Sequence, residues 1–201
     1  MITQSVSKRY QRGGSLIELM ISSLIGLVLL GVIGSVFISL QKTAREKNLE
    51  LHLLQGLNVT LMLMKEDIQR AGYDGGNGNS LKLSGATNTI TVSGGASVGF
   101  VYLKEGSGYQ NIKYIRDGNQ LKFCSNPVAS QADIKSFAGI DFCRSLFDED
   151  ILQVTQFSIS SASVKNGTKV SGITDVSLGL QTVDGELSKV AEFSIKQRNW
   201  Q

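Results

Sequence analysis

One segment constrains this chain more than any other feature. The run from Leu19 to Leu40 contains no Asp, Glu, Lys, Arg, His or Pro. A helix of about 20 residues, at roughly 1.5 Å rise per residue, spans the hydrocarbon core of a bilayer. The run is therefore long enough and apolar enough to cross a membrane as one helix.

The residues ahead of this run are basic. Lys8, Arg9 and Arg12 have no acidic neighbour within residues 1–13. By the positive-inside tendency, we expect residues 1–13 to face the cytoplasm and everything after Leu40 to lie across the membrane. A secretory signal peptide is the alternative, but its apolar core is usually about 7–15 residues long and ends at a small-residue cleavage site. This run is longer and has no such site, which favours a retained membrane segment.

The junction between the basic leader and the apolar run reads Gln11-Arg12-Gly13-Gly14-Ser15-Leu16-Ile17-Glu18-Leu19. It resembles the class III leader of type IV prepilins and type II secretion pseudopilins. In that family a prepilin peptidase cuts after a glycine, methylates the new amino terminus and leaves a glutamate at the fifth mature position. The resemblance implies cleavage between Gly13 and Gly14 and N-methylation of Gly14. The family usually begins its mature chain with Phe, Met or Leu, so Gly14 is a departure.

PilW-type minor pilins are the members that this chain resembles in particular. The matching stretches are Ser15-Leu16-Ile17-Glu18-Leu19-Met20, Lys65-Glu66-Asp67-Ile68-Gln69-Arg70-Ala71-Gly72-Tyr73 and Gln197-Arg198-Asn199. The resemblance implies a type IV pilin-like α+β fold and a subunit stored in the bacterial inner membrane. It implies partnership with prepilin peptidase and with other minor and major pilins, in a priming complex at the tip of a pilus on the cell surface.

Glu18 is a carboxylate near the cytoplasmic end of the apolar run. Such residues are costly to bury in a membrane and usually pair or face a polar interior. Once residues 1–13 are removed, the free α-amino group of Gly14 in one subunit can neutralise Glu18 of its neighbour, and we interpret Glu18 as an intersubunit assembly contact. The alternative is that Glu18 lies at the headgroup level and complements the positive end of the helix dipole.

Beyond the membrane segment the helical pattern continues. Apolar residues recur at a 4-3-4-3 spacing on one face, at Leu57, Leu61, Met64, Ile68 and Ala71. Gly72 is a plausible stop, so we expect one long helix over 14–72. A sheet should cover its apolar face; a coiled-coil partner is the alternative, although the pattern lasts only about two heptads.

Residues 73–201 change to loop and strand composition. The Asp117-Gly118 and Asp184-Gly185 pairs are hairpin signals. The expected strands lie at 89–92, 98–103, 112–116, 121–123, 151–160, 173–183 and 187–197. Together with the cleavage that the resemblance implies, these patterns predict a cleaved leader (1–13), a long helix (14–72) and a β-rich periplasmic or extracellular domain (73–201) with an antiparallel sheet.

The two cysteines, Cys124 and Cys143, both lie in the exported part. The bacterial periplasm is oxidising, and a bridge between them would close a loop of about 20 residues and stabilise the fold by ~3 kcal/mol in the chain-entropy account. We expect this disulfide; two reduced core cysteines are the alternative. A metal site is not expected, because the single histidine, His52, is far away on the helix.

Charge and motifs point away from several functions. The chain has 20 basic and 17 acidic residues, and the leader accounts for the excess, so no strongly basic nucleic-acid footprint is expected. Phosphate-binding, zinc-protease and dithiol motifs are missing, and Gly75-Gly76-Asn77-Gly78 does not link a strand to a helix. We expect no enzymatic activity and no cofactor.

Three further alternatives stay open at this point. Asp148, Glu149 and Asp150 offer oxygen ligands to Ca²⁺, although a solvated acidic turn is favoured. The chain could be a minor pseudopilin of a type II secretion system. The domain at 73–201 could also act as a tip adhesin or as a DNA-uptake binding module.

Overall fold

The computed structural model describes residues 14–166 and 169–196. The expected leader, residues 1–13 with Gly13 at its end, lies outside them, as do residues 197–201. The described elements are helix α1 (Leu16–Arg70) and strands β1 (Thr91–Ser93), β2 (Ser97–Lys104), β3 (Gly108–Asp117), β4 (Gln120–Val128), β5 (Cys143–Ser145), β6 (Leu152–Asn166), β7 (Lys169–Thr182) and β8 (Ser188–Lys196). The predicted fold class, a long N-terminal helix with antiparallel sheets, is confirmed.

The chain divides into two compact units, with the boundary between Asn48 and Leu49 inside α1. In the first unit the apolar side chains of 16–40 are exposed. An 18-residue window of this helix has a mean hydropathy of 2.5 and is 0 % buried. Among the described residues, α1 is the helix that is long and apolar enough to cross a bilayer, and it is compatible with membrane anchoring.

In the second unit, the remaining part of α1 packs on the sheets through the predicted apolar stripe. The stripe residues Leu57, Leu61, Met64, Ile68 and Ala71 are all buried, and Leu53 extends the stripe by one turn. Their partners in one continuous core include Phe100 and Tyr114 from the first sheet and Phe157, Leu178 and Ile195 from the second. Burying side chains of this kind contributes about 1.5–3 kcal/mol each. The predicted sheet cover is therefore confirmed, and it occupies the face that a coiled-coil partner would need.

The end of α1 is fixed by Gly72, which has a φ of +84°. A Cβ atom there would clash with the side chain of Thr89, so glycine is needed for both conformation and space. The Gly72 N–H donates to the Val101 carbonyl at 2.8 Å, and the Leu103 N–H donates to the Tyr73 carbonyl at 2.8 Å. The chain leaving the helix is thus bonded to the second half of β2.

Strands β1 to β5 form an antiparallel sheet in sequential order. Asp117 pairs with Gln120, so the predicted hairpin has a two-residue loop. Gly118, at the first loop position, has a φ of +60°, as a type II′ turn requires. Strand β5 was not predicted; it adds to β4 at the pair Cys124–Cys143.

Strands β6, β7 and β8 form a separate antiparallel sheet, where the sequence had suggested a single one. The β6–β7 ladder runs from Leu152–Thr182 to Asn166–Lys169, and its register shifts between Val154 and Gln156. The predicted hairpin at Asp184-Gly185 connects β7 to β8, with the Thr182 N–H donating to the Leu187 carbonyl at 2.9 Å.

A smaller core lies on the opposite face of the five-stranded sheet, because successive strand residues alternate between faces. Its buried members are Leu81, Leu83, Val101, Cys124 and Ile140. Two connecting segments, which precede β1 and follow β4, supply the cover. The sheet is therefore packed on both faces.

Candidate functional site

The residues expected to carry assembly lie at the start of α1. The helix begins at Leu16, and the Glu18 N–H donates to the Ser15 carbonyl at 2.9 Å. A Cβ atom placed on Gly14 would lie 3.9 Å from Glu18 Oε2. The structure thus brings the residue expected to become the mature amino terminus close to the Glu18 carboxylate of the same chain. Cleavage after Gly13, methylation of Gly14 and pairing of Glu18 between subunits stay predictions.

The apolar part of α1 has open glycine positions, and two of its serine hydroxyls bond to the helix itself. A Cβ atom on Gly26, Gly31 or Gly34 would meet no atom within 4 Å. The hydroxyl groups of Ser23 and Ser35 donate to carbonyls of their own helix, at 2.9 and 2.8 Å. Polar groups satisfied within the helix suit a lipid environment, and open glycine positions let another helix approach closely.

A buried carboxylate joins the second part of α1 to the five-stranded sheet. Asp67 is 5 % exposed, and the Tyr114 hydroxyl of β3 donates to Asp67 Oδ2 at 2.7 Å. Arg70 Nη1 lies 3.8 Å from Asp67 Oδ1. Because the hydrogen bond connects residues 47 positions apart, it fixes how this part of the helix is rotated on the sheet.

Burial raises the pKa of Asp67 above its ordinary value, while the hydrogen bond from Tyr114 and the charge of Arg70 oppose that rise. Burial also raises the pKa of Tyr114 and that of Tyr102. Both phenols are therefore protonated at neutral pH and can act as hydrogen-bond donors. The Tyr114 hydroxyl supplies a donor to the Asp67 carboxyl group at the point where α1 meets the five-stranded sheet.

Sequence reasoning did not identify Asp67 as a site residue. It lies one turn after Met64, on the face that is otherwise apolar, next to Ile68. The sequence does carry a signal for it: a charged residue stands at a position that the stripe assigns to the core. Such a residue requires a partner inside the protein.

A disulfide joins Cys124 of β4 to Cys143 of β5. The two residues are direct neighbours in the β4–β5 ladder. Cys124 is 0 % exposed and belongs to the smaller core, whereas Cys143 is exposed. The predicted bond is therefore present, and it anchors the exposed edge strand β5 to its neighbour β4.

The acidic triplet Asp148, Glu149 and Asp150 is exposed. The Asp150 N–H donates to Asp148 Oδ1 at 3.1 Å, and the Leu152 N–H donates to the Asp148 carbonyl at 2.9 Å. The triplet forms the turn that leads into β6. Within 14–166 and 169–196, no three His, Cys, Asp or Glu side chains are grouped as metal ligands would be. His52 is exposed on α1.

Part of the chain is similar to a known protein family. The model of a family described as prepilin peptidase-dependent protein B matches residues 46–197. The matched region covers the second part of α1 and the strands that follow it. No curated protein and no solved structure matches the chain.

Proposed function

We propose a function from one premise: the chain belongs to the prepilin peptidase-dependent protein B family. Membership gives it a pilin-like role and a relationship to prepilin peptidase. Within that role, we propose that it is a PilW-type minor pilin. It would be a structural subunit without enzymatic activity that joins other minor and major pilins at a pilus tip and primes assembly.

The observation that carries the proposal is the combination of elements along α1. Gly13 and Gly14 precede α1 in the sequence. The helix carries Glu18 in its first turn, and its apolar side chains are exposed from 16 to 40. A second, amphipathic part of the same helix is covered by β-sheets. A membrane stores the first part, with the amino terminus in the cytoplasm and the β-rich domain in the periplasm. Prepilin peptidase removes residues 1–13 and methylates Gly14.

Assembly then transfers the apolar helix from lipid to other helices. The amino group of Gly14 in one subunit pairs with Glu18 of a neighbour, so neither charge remains alone in an apolar environment. The open surfaces at Gly26, Gly31 and Gly34 allow close helix contacts during this transfer.

The test compares Glu18→Ala with wild type in sheared pili and in membranes. We expect the variant to be cleaved and inserted, since removing a charge makes the run easier to insert, but depleted in pili. An amine left buried without a partner typically costs several kcal/mol. Glu46→Ala is the matched control, because Glu46 is an exposed carboxylate of α1, 3.9 Å from Lys42, outside the apolar run. Equal recovery of the Glu18 variant in pili would contradict the assembly role.

The priming role has its own test. Cells that lack the protein are expected to form fewer pili, and the wild-type chain should restore the number. Normal piliation without the protein would contradict this role. A simultaneous loss of type II secretion would then favour the pseudopilin alternative.

A further inference from the structure

The second part of α1 has apolar side chains on two opposite sides. One side is the buried stripe that packs on the sheets. Val59 follows the buried residue Leu57 by two positions, and with 3.6 residues per turn it lies roughly 160° around the helix from it. The apolar residues of this second side are 39–67 % exposed, and we call them together the outer face: Leu51, Val59, Met62 and Leu63.

The outer face has the arrangement of a helix-packing surface. Leu51, Gln55, Val59 and Leu63 follow one another at a spacing of four residues, and Met62 lies beside this row. Rows with this spacing form the ridges that fit between the side chains of a second helix. Exposed polar side chains border the row, as at the rim of a protein interface: His52, Asn58, Lys65, Glu66 and Arg70.

Neither a bilayer nor the described part of the chain covers the outer face. A bilayer core takes an uninterrupted apolar segment, and five charged residues separate the outer face from the apolar run: Lys42, Arg45, Glu46, Lys47 and Glu50. The side chains of the outer face are exposed although α1 and strands β1 to β8 are all in place. Single apolar residues scattered over a surface are ordinary, whereas a group of them on one side of a helix is typical of an interaction site.

We propose that the outer face docks the long N-terminal helix of a different pilin subunit in the tip complex. The inference rests on the proposed function, which brings the helices of several pilins side by side, and it adds a contact outside the membrane-crossing run. A ridge of four-residue spacing fits such a helix along its length. A different subunit is the occupant, and not a second copy, because a tip complex joins different minor pilins.

Photocrosslinking of the full chain in piliated cells identifies the occupant. A photoreactive phenylalanine derivative is placed at Met62 and, as the control, at Val190, which is 57 % exposed on β8. We expect a product at Met62 that is missing at Val190, with the linked peptide derived from the helix that follows the leader of another pilin. The docking contact is overturned if Met62 gives no product, or if it links to lipid, to a second copy of this chain, or to a strand or loop of another subunit.

A matched pair of valines measures the contribution of the outer face. Val59→Lys and Val190→Lys each place a lysine at an exposed valine, on α1 and on β8. Both variants should fold like wild type. We expect Val59→Lys to lower crosslinking from Met62 and recovery in sheared pili by about tenfold, the scale of one apolar side chain that is no longer buried. Val190→Lys should change neither quantity.

The two readouts separate this contact from the proposed function. Crosslinking and recovery in pili that are equal for Val59→Lys and wild type would overturn the docking contact and leave the minor-pilin role standing. A wild-type chain that links from Met62 to the helix of another pilin but is missing from sheared pili would support the contact and contradict the role.

Discussion

Replacing Tyr114 by Phe removes a single oxygen atom from the junction of α1 and the sheet. That oxygen donates a 2.7 Å hydrogen bond to Asp67, and both residues are buried. A hydrogen bond to a charged group contributes about 1.5–3 kcal/mol. Arg70 lies 3.8 Å from the other carboxylate oxygen and retains part of the stabilisation. We therefore expect Tyr114→Phe to lower the free energy of unfolding by about 2 kcal/mol.

The assay is urea unfolding of the full chain in detergent micelles, followed by the circular dichroism of the β-rich domain. Tyr109→Phe is the matched control, because Tyr109 is only partly buried on the same strand, and it should change the free energy by less than about 0.5 kcal/mol. In an Asp67→Asn background the cost of Tyr114→Phe should fall to about 1 kcal/mol, the value of a neutral hydrogen bond. A Tyr114→Phe variant as stable as the Tyr109→Phe control would refute this reasoning.

Three further predictions concern the same domain. Burial raises the folded-state pKa of Asp67 above 3.8. The stability that the protonated carboxyl group gives to the fold is therefore fully present below that value and is lost as the pH rises. Unfolding measured between about pH 4 and 7 should show Asp67→Asn gaining stability relative to wild type with increasing pH. Gly72 and Gly76 have φ values of +84° and +89°, but a Cβ atom clashes only at Gly72; thermal unfolding should show a cost of ~1–2 kcal/mol for Gly76→Ala and a distinctly larger one for Gly72→Ala. The double variant Cys124→Ala with Cys143→Ser should lose about 3 kcal/mol in urea unfolding, and wild type in reducing agent should lose a similar amount.

Features that depend on neighbouring residues were predictable from the sequence. The spacing of Leu57, Leu61, Met64 and Ile68 indicates a helix face, and all four are buried. The Asp117-Gly118 pair indicates a hairpin, and the hairpin is present. Such signals depend only on residues within a few turns of a helix or within one loop. They can therefore be recognised without knowing what packs against them.

Features that depend on distant residues were not predictable in this way. Strand β5 is three exposed residues with no alternating pattern, and it pairs with β4 at the disulfide. The Asp67–Tyr114 bond joins positions 47 apart. The division into two sheets depends on which strands meet in space.

The candidate assembly residues came from a different source. Gly14 and Glu18 were identified by resemblance to prepilins, while physical reasoning on Glu18 alone left two interpretations open.

The account depends most directly on whether prepilin peptidase processes the chain. Intact mass and N-terminal sequence of the protein extracted from membranes of cells with active peptidase are expected to give a chain that begins at Gly14, with the methyl group on its amino terminus. Gly13→Val should remain uncut in the same cells. A wild-type chain that begins at Met1 would contradict the central claim.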